Sequence, residues 1–402
     1  MSHIVVVGGG QAGSSLVVKL RNLGFDGGIT LIGEEVVPPY QRPPLSKAYL
    51  LGDMALERLF LRPEAFYSEN GIDLRLGQKV QAIDTASKTV TVGDDILHYD
   101  QLALTTGSVP NRLPASIGGA LDGVHVVRDL ADVDVMGPRF TAGARVLIVG
   151  GGYIGLEAAA VAAKKGLHVT LVEMADRILQ RVASAETSNY FRTLHQSHGV
   201  DIREGCGLDR ITGTDRVEGA ILSDGTELEL DFVVVGVGSR PATELAEMAG
   251  VDLENGIKTN SLGQTSDPSI WAAGDCASFP LNGVQMRLES VGNAIDQAEL
   301  VAENMLGAGK DYVPKPWFWS DQFGTKLQIA GLSTGYDTII TRKGEGSAVS
   351  FWYFAAGKLL ALDAMNDPRS YMVGKRLIEM GKSPDPAEIA NPETNLKDLL
   401  KP

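Results

Sequence analysis

Short β-branched runs, glycine-rich turns and helical stretches alternate at the start of the chain. Residues 4–7 are Ile-Val-Val-Val, a pattern typical of a strand buried on both faces. A helical stretch follows over about residues 14–23, and a second apolar run at residues 29–32 comes just before Glu34. This order predicts a βαβ unit with parallel strands.

The turn between the first strand and the helix reads Gly-x-Gly-x-x-Gly. Gly8 can make a tight turn, Gly10 lets backbone N–H groups approach a pyrophosphate, and Gly13 permits close packing of helix on strand. The N-terminus of the helix then faces the phosphate charge. Glu34 lies where a ribose-binding carboxylate belongs. The unit therefore predicts a dinucleotide site.

The same unit returns after residue 144. Its positions are strand 145–149, Gly150, Gly152, Gly155, strand 168–172 and Glu173. Each unit closes with an apolar strand and a Gly-Ser-x-Pro turn, at residues 107–110 and 238–241. We predict two dinucleotide-binding domains, the second inserted into the first, with small added sheets from residues 88–93 and 217–229.

Two dinucleotide sites in one chain indicate FAD and a nicotinamide nucleotide, because a flavin takes up a hydride and needs its donor held beside it. Residues 265–275 read as a turn, a short buried strand and a Gly-Asp end. Asp275 could accept hydrogen bonds from the ribitol hydroxyls of FAD. The alternative is an aspartate that only caps a turn.

Composition narrows the class of protein. The chain of 402 residues has 36 Lys and Arg against 50 Asp and Glu, a formal net charge of −14. Such a surface repels nucleic acid and anionic lipid, and no stretch approaches the ~20 apolar residues of a membrane helix. The first residues carry no secretory signal. We expect a cytoplasmic protein that binds neither nucleic acid nor membrane.

Cysteine and histidine offer little metal or redox chemistry. Cys206 and Cys276 are far apart, which excludes a disulfide framework, a cysteine zinc cluster and a dithiol motif. His195 and His198 have no carboxylate or cysteine partner nearby in sequence, so we expect them on a solvated helix face. No metal site is predicted.

Five separated motifs resemble those of one family. They are PYQRPPLSK at residues 39–47, GGGYIGLE at 150–157, WAAGD at 271–275, ESVGN at 289–293 and PWFWSDQ at 316–322. Together they resemble the FAD-dependent NADH:ferredoxin reductases of oxygenase and P450 systems, the putidaredoxin reductase-like and biphenyl dioxygenase ferredoxin reductase-like enzymes. The resemblance spans essentially the whole chain.

This resemblance implies a glutathione-reductase-like α/β fold with two Rossmann-type domains and a C-terminal α/β domain. Residues 1–112 and 242–316 would form the FAD-binding domain, residues 113–241 the NAD-binding domain, and residues 317–402 a domain that covers the flavin and docks ferredoxin. Arg112 and Ala242 depart from the family pattern and receive no role.

Site residues follow from the resemblance position by position. Those implied for FAD are Gly8, Gly10, Ala12, Gly13, Glu34, Arg42, Lys47, Val80, Thr106, Gly107, Arg128, Asp275, Val291 and Trp319. Those implied for NAD are Gly150, Gly152, Tyr153, Ile154, Gly155, Glu173, Gly238 and Glu289. Lys47 and Glu157 are implied as a catalytic pair beside the flavin. From the residues alone, a lysine such as Lys47 is more often solvated, and Glu157 could be a carboxylate that only favours its helix N-terminus.

The electron acceptor follows partly from a missing thiol. No cysteine precedes Cys206, so residues 39–47 lack the thiol of flavin-dependent disulfide enzymes. Dioxygen, a quinone or a metal centre remain as possible electron acceptors of a reduced flavin. The resemblance implies that the acceptor is an acidic [2Fe–2S] ferredoxin. Alternatives are rubredoxin or a quinone as acceptor. The alternative from another class is a flavin-binding regulatory protein that resembles apoptosis-inducing factor. Such a protein needs a basic surface to bind nucleic acid, and this chain is acidic.

Two finer expectations concern binding partners. Glu173 should favour NADH, because a carboxylate repels the 2′-phosphate of NADPH, although Arg177 nearby could accommodate that phosphate. A ferredoxin would need a local basic patch on this acidic chain. The candidates are Lys310, Lys315, Arg342, Lys343, Lys375 and Arg376.

Overall fold

The structure, a computed structural model, describes residues 2–401. These residues divide into two compact units. The first contains residues 2–42, 55–109 and 239–316, and the second contains residues 43–54, 110–238 and 317–401. The short strands Ser108–Pro110 and Ser239–Pro241 lie where the chain passes from one unit to the other.

A five-stranded parallel sheet forms the centre of the first unit. Its strands, in order across the sheet, are Ile270–Ala272, Gln101–Leu104, His3–Val7, Gly28–Ile32 and Ile72–Arg75. Helices Gln11–Asn22 and Val291–Met305 bury their apolar faces in one core with this sheet. The β-branched run predicted as a strand is fully buried, which is why it carries no polar residue.

Smaller elements complete the first unit. One antiparallel sheet contains Val80–Asp84, Thr89–Val92 and Asp95–His98, and a further three-stranded sheet contains Ile257–Lys258, Ala277–Leu281 and Val284–Met286. The helices are Glu64–Glu69, Glu244–Met248 and the 3₁₀ turn Leu56–Arg58. The first of these sheets includes the stretch 88–93 that the sequence assigned to an added sheet.

The second unit repeats the parallel arrangement. Its strands, in order, are Asp201–Glu204, His168–Glu173, Arg145–Val149, Phe232–Val235 and Val124–Val126. The small sheet beside it contains Leu208–Thr212, Gly219–Leu222 and Glu227–Glu229. The helices are Ala48–Leu51, Leu130–Met136, Tyr153–Lys164 and Ala185–Ser197, with 3₁₀ turns Pro43–Ser46, Ala115–Ile117 and Gly137–Arg139.

The C-terminal part of the second unit is a five-stranded antiparallel sheet with helices packed on it. In order, the strands are Trp317–Gln322, Thr325–Gly331, Lys358–Met365, Val349–Ala355 and Thr338–Lys343. The helices are Pro368–Glu379 and Pro386–Ala390, followed by the 3₁₀ turn Leu396–Leu400. Buried residues of the sheet and helices, Trp352, Leu362 and Leu377 among them, form one apolar core.

The predicted α/β fold with two Rossmann-type units is confirmed. The first helix begins at Gln11 rather than near residue 14, because the extended backbone of Gly10 ends the turn immediately before it. The domain boundaries drawn from the sequence stay a prediction. Within residues 2–401, no helix is both long and apolar enough to span a bilayer.

Candidate active site

The glycine turn of the first unit excludes side chains at two of its glycines. Gly8 has a φ of +120°, and a Cβ there would lie 2.2 Å from the carbonyl oxygen of Thr105. A Cβ at Gly13 would lie 2.1 Å from the carbonyl oxygen of Gly8. No heavy atom lies within 4 Å of a Cβ built at Gly10. The turn is therefore tightly packed inside and open at Gly10, where a bound group can approach the backbone.

The second glycine turn has the same geometry. Gly150 has a φ of +105°, and its Cβ would lie 2.4 Å from the carbonyl oxygen of Gly236. A Cβ at Gly155 would lie 2.1 Å from the carbonyl oxygen of Gly150, and Gly152 is open. At neither Gly10 nor Gly152 does a side chain cap the helix that follows. Both helix N-termini thus present backbone N–H groups to an anion.

Thr106 and Gly107 hold the returning chain of the first unit. The Thr106 hydroxyl donates to the Ala242 carbonyl oxygen at 2.7 Å, and the Ala242 N–H donates to the Gly107 carbonyl oxygen at 2.9 Å. Both bonds use the backbone of Ala242. The contact therefore makes no demand on the side chain at 242, where the sequence departs from the family pattern.

Asp275 lies in a loop held close to the first glycine-turn helix. Its carboxylate accepts a hydrogen bond from the Ser108 hydroxyl at 3.3 Å. Gly274 has a φ of +82° and donates its N–H to the Gln297 side-chain oxygen at 2.9 Å, and a Cβ there would lie 3.0 Å from Ala12. The half-buried carboxylate remains positioned to accept hydrogen bonds from hydroxyl groups.

The acidic end of the first βαβ unit has two neighbouring carboxylates with different environments. Glu34 is 69% exposed and contacts Lys79 at 3.0 Å. Glu35 pairs with Arg42 at 2.5 Å. Val80 is buried in the apolar core. Glu34 is thus accessible to a ribose, whereas the charge of Arg42 is balanced by a carboxylate that sequence reasoning did not single out.

A helix begins two residues after Glu289. Val291 is its first residue, and the Ser290 hydroxyl accepts the N–H of Asn293 at 3.2 Å. Glu289 itself forms an ion pair with Arg287. The positive end of a helix dipole is therefore present at this point of the first unit.

Glu173 lies beside the second glycine turn. Its two carboxylate oxygens accept the N–H groups of Gly151 at 2.7 Å and Ala175 at 2.8 Å. These bonds fix the carboxylate at the end of its strand. An anionic group at this position disfavours a second anion nearby.

Arg177 is directed toward the protein. Its guanidinium donates to the carbonyl oxygens of Gln180, Ala183 and Ser184 and to the hydroxyl of Ser188. Most of its donors are therefore occupied by protein groups. This removes the sequence-based argument that Arg177 accommodates a 2′-phosphate.

Lys47 and Glu157 form a mostly buried ion pair in the second unit. The Lys47 ammonium lies 2.6 Å from Glu157 Oε2, with the two side chains 16% and 4% exposed. Ser46 donates to the same oxygen at 2.5 Å, and Ser320 donates to Oε1 at 2.6 Å. Lys47 also donates to the Pro43 carbonyl oxygen at 3.0 Å. Three donors therefore fix one carboxylate, two from the adjacent residues Ser46 and Lys47 and one from the strand that contains Ser320.

Aromatic side chains lie near this pair in the second unit. The Tyr153 ring packs on Phe318 with centroids 4.8 Å apart, and its buried hydroxyl has no hydrogen-bond partner. Trp319 stacks on Trp317 with centroids 5.4 Å apart. Ile154 is 48% exposed. An orphaned buried hydroxyl is costly and is typical of a site that a bound group completes.

Three further positions are Gly238, Arg128 and Arg112. Gly238, with a φ of +90°, accepts the N–H of Asn111 at 2.9 Å. The N–H of Arg128 donates to Asp132 at 3.0 Å, and the exposed Arg112 reaches the same carboxylate only at 3.9 Å. The unassigned Arg112 therefore makes a weak surface contact.

Comparisons with known proteins match the whole chain. Residues 2–298 match the family described as pyridine nucleotide-disulphide oxidoreductase, and residues 317–400 match a reductase C-terminal domain. The chain belongs to the pyridine nucleotide-disulphide oxidoreductase family. Its relatives include rhodocoxin reductase of Rhodococcus erythropolis, 41% identical over 98% of this chain and 93% of that protein.

A second relative and a solved structure also match nearly the whole of this chain. Putidaredoxin reductase CamA of Pseudomonas putida is 39% identical over 99% of this chain and 96% of that protein. A chain in the crystal structure of the covalent putidaredoxin reductase–putidaredoxin complex superposes with a TM-score of 0.95 at 38% identity, covering 99% of this chain and 98% of that one. The chain thus matches each of these relatives over more than nine-tenths of its length.

Members of this family use FAD and a nicotinamide nucleotide, and the residues present fit both. Each glycine turn is open at its middle glycine and is followed by an uncapped helix N-terminus. That is the geometry a dinucleotide pyrophosphate requires. The prediction of two dinucleotide cofactors is confirmed, while the individual site residues stay predictions.

The cysteines of this family member are not suited to disulfide chemistry. Cys206 and Cys276 are both buried and unpaired. Burial raises the pKa of the Cys276 thiol, which disfavours the reactive thiolate. Within residues 2–401, no cluster of three or more His, Cys, Asp or Glu side chains could hold a metal ion.

Two expectations were wrong. His195 is fully buried rather than on a solvated face, and it contacts Gln322 at 2.7 Å. Arg342 is buried and donates to four backbone carbonyl oxygens, so it cannot belong to a docking patch. In both cases polar neighbours in sequence suggested exposure, while tertiary packing supplied partners from distant elements.

Sequence reasoning missed the hydroxyls around Glu157. Ser46 and Ser320 were inside two family motifs, but neither received a role. A serine has no chemistry that marks it as a partner of a particular carboxylate. Only the position of these hydroxyls inside PPLSK and WSDQ could have drawn attention to them.

Proposed function

We propose that this chain passes electrons from NADH through FAD to a [2Fe–2S] ferredoxin that supplies a P450 or a ring-hydroxylating oxygenase. The observation that carries the proposal is the pair of equivalent glycine turns in a chain whose two cysteines are buried. Two dinucleotides can bind, and no accessible thiol can receive their electrons. Relatives named as reductases of rhodocoxin and putidaredoxin support the choice of acceptor.

In this proposal, backbone groups do most of the cofactor binding. The N–H groups around Gly10 hold the FAD pyrophosphate, Glu34 accepts from the adenosine ribose, and Asp275 accepts from the ribitol hydroxyls. When bound, FAD takes up two electrons from NADH and releases them one at a time. The helix that begins at Val291 favours negative charge at its N-terminus.

In the same proposal, Lys47 supplies a positively charged ammonium group that Glu157 holds in place. The ammonium is held by Glu157 and by the Pro43 carbonyl oxygen, so it cannot turn freely into solvent. A fixed cation stabilises negative charge that develops nearby, more so because little water screens it. Lys47 would act on the flavin, and Glu157 would hold Lys47 in place.

The second glycine turn would bind NADH in preference to NADPH. Gly152 provides the open approach for the pyrophosphate, and Glu173 provides a carboxylate at the strand end. The guanidinium of Arg177 is bound to protein carbonyl oxygens. We place the enzyme in the cytoplasm, where NADH and a ferredoxin acceptor are available.

Ferredoxin-dependent reduction of cytochrome c tests this function. With NADH and a purified [2Fe–2S] ferredoxin, the purified flavoprotein should reduce cytochrome c at least tenfold faster than without ferredoxin. Rapid NADH oxidation by dioxygen or a quinone that ferredoxin does not increase would contradict the proposal. Rubredoxin in place of ferredoxin distinguishes the iron–sulfur acceptor from a mononuclear iron centre.

A glycine variant links this activity to the second turn. Gly152→Leu places a side chain where the pyrophosphate should bind, without backbone strain, because Gly152 has a φ of −80°. Gly137 has a φ of −50° and is equally open, so Gly137→Leu is the matched control. We expect the KM for NADH to rise strongly in the first variant only.

A further inference from the structure

Within the second unit, a series of hydrogen-bonded, buried side chains leads away from Glu157. Ser320 donates to Glu157 Oε1 at 2.6 Å, and Gln322 Nε2 donates to the Ser320 hydroxyl at 3.0 Å. Gln322 Oε1 lies 2.7 Å from Nε2 of His195. Ser320, Gln322 and His195 are each at most 1% exposed. Hydrogen bonds therefore connect helix Ala185–Ser197 to the ion pair through one strand.

The direction of these hydrogen bonds is fixed from the carboxylate end. An ionised carboxylate only accepts, so Ser320 must donate to Glu157 and accept from the Gln322 amide N–H. The amide oxygen of Gln322 then faces His195, and His195 must donate from Nε2. Every donor in the chain thus points toward Glu157.

The series of hydrogen bonds ends at His195. Its Nδ1 is buried without a hydrogen-bond partner. Burial lowers the pKa of His195 to about 4, so the ring is neutral at neutral pH. No hydrogen bond continues from Nδ1 of His195, so the contacts support a positioning role for these side chains rather than a proton relay.

We propose that Ser320, Gln322 and His195 are positioning residues that orient the Glu157 carboxylate and thereby hold Lys47 in place. Ser46 and Lys47 contact one carboxylate oxygen, whereas Ser320 alone of these donors contacts the other. Without Ser320, the carboxylate can rotate about its terminal bond and release Lys47. The effect on electron transfer rests on the proposed function, but the effect on Lys47 does not.

Ser320→Ala tests the proposal through Lys47 itself. The holoenzyme is treated with a limiting amine-acylating reagent, and acylation of Lys47 is quantified by peptide mass spectrometry relative to Lys19. We expect Lys47 to react about tenfold faster than in the wild type, the lower range for losing a hydrogen bond to a charged group. Ser320→Thr, which keeps the hydroxyl, should restore protection.

Ser350→Ala is the matched control. Ser350 is also a fully buried strand serine of the C-terminal sheet, but its hydroxyl contacts Trp352 and Asp367 rather than Glu157. The Ser350→Ala variant shows how much the loss of a buried serine hydroxyl elsewhere in the sheet changes the reactivity of Lys47. Equal Lys47 reactivity in the two alanine variants would overturn the proposal. If Ser320→Ala does not fold, Gln322→Leu, which removes the donor to Ser320, should expose Lys47 in the same direction.

Kinetics separate this inference from the proposed function. With Ser320→Ala, the limiting rate of flavin reduction should fall about tenfold while the KM for NADH stays within twofold, because no NADH-binding group changes. Increased Lys47 reactivity with unchanged flavin reduction would support the positioning role and contradict the action of Lys47 on the flavin. A rise in KM alone would contradict the positioning role.

Discussion

Removing the charge of Glu157 is the most informative perturbation of the buried ion pair. In Glu157→Gln, the shape is nearly kept, but Lys47 loses the partner 2.6 Å away. At that distance the attraction is about 6 kcal/mol with an effective dielectric constant of 20. Part of this is recovered because Lys47 is still 16% exposed to water. We expect a net loss of about 3 kcal/mol in the free energy of unfolding, the lower range for a broken buried pair.

The measurement is urea unfolding of the purified protein, with flavin reduction by NADH followed in parallel by stopped flow. The matched control is Glu303→Gln, which neutralises a carboxylate 2.9 Å from Lys19 in a more exposed cluster that also contains Glu299 and Lys310. That change should cost at most about 1 kcal/mol. Glu157→Gln should also slow flavin reduction and alter the visible flavin spectrum.

A second substitution tests whether the cost comes from the unpaired ammonium. Lys47→Met in the Glu157→Gln background removes the buried charge, so at least half of the lost stability should return. Flavin reduction should remain slow, because the cation is gone. Equal stability of Glu157→Gln and Glu303→Gln, together with unchanged flavin reduction, would show that the Lys47–Glu157 pair does not have this role.

Three further predictions concern the nucleotide, pH and docking. NADH should have a higher kcat/KM than NADPH, and an equal or higher value for NADPH would show the assignment of Glu173 to be wrong. Asp363 lies in strand Lys358–Met365, and burial raises the pKa of its carboxyl group from 3.8 to about 6. The folded protein therefore binds this proton more tightly than the unfolded chain does, and the stability that the bound proton contributes is lost as the pH rises through 6. Asp363→Asn should therefore gain roughly 3 kcal/mol relative to the wild type between pH 3.5 and pH 7, and a pH-independent difference in urea unfolding would contradict this. Raising the ionic strength should raise the KM for ferredoxin and leave flavin reduction by NADH nearly unchanged. Charge reversal at the exposed Lys343 should have the same two effects. A KM for ferredoxin that does not depend on salt would indicate apolar docking.

Local chemistry explains which parts could be predicted from the sequence. Gly8 has a φ of +120°, and Gly13 packs against the carbonyl oxygen of Gly8 in the same turn, so the spacing of these glycines carries the information. The buried β-branched strands follow for the same reason, since a strand covered on both faces is apolar throughout. The two βαβ units and their closing strands are therefore predictable from adjacent residues.

Contacts between distant segments were accessible only through the resemblance or not at all. Lys47 and Glu157 are 110 residues apart, and nothing in either segment alone indicates their pairing. His195 lies among polar residues, yet Gln322, 127 residues away, supplies its partner. Arg342 has its partners in the backbone near residue 391. Such polar residues are buried because of tertiary packing, which local composition does not report.

The stoichiometry of anaerobic electron transfer tests the central claim most directly. A limiting amount of NADH is added to catalytic flavoprotein and excess oxidised [2Fe–2S] ferredoxin, and cluster reduction is followed by absorbance and electron paramagnetic resonance. We expect about two clusters to be reduced for each NADH consumed, because the two electrons leave the flavin one at a time. NADH consumption without reduced clusters, in the presence of an intact ferredoxin partner, would contradict it.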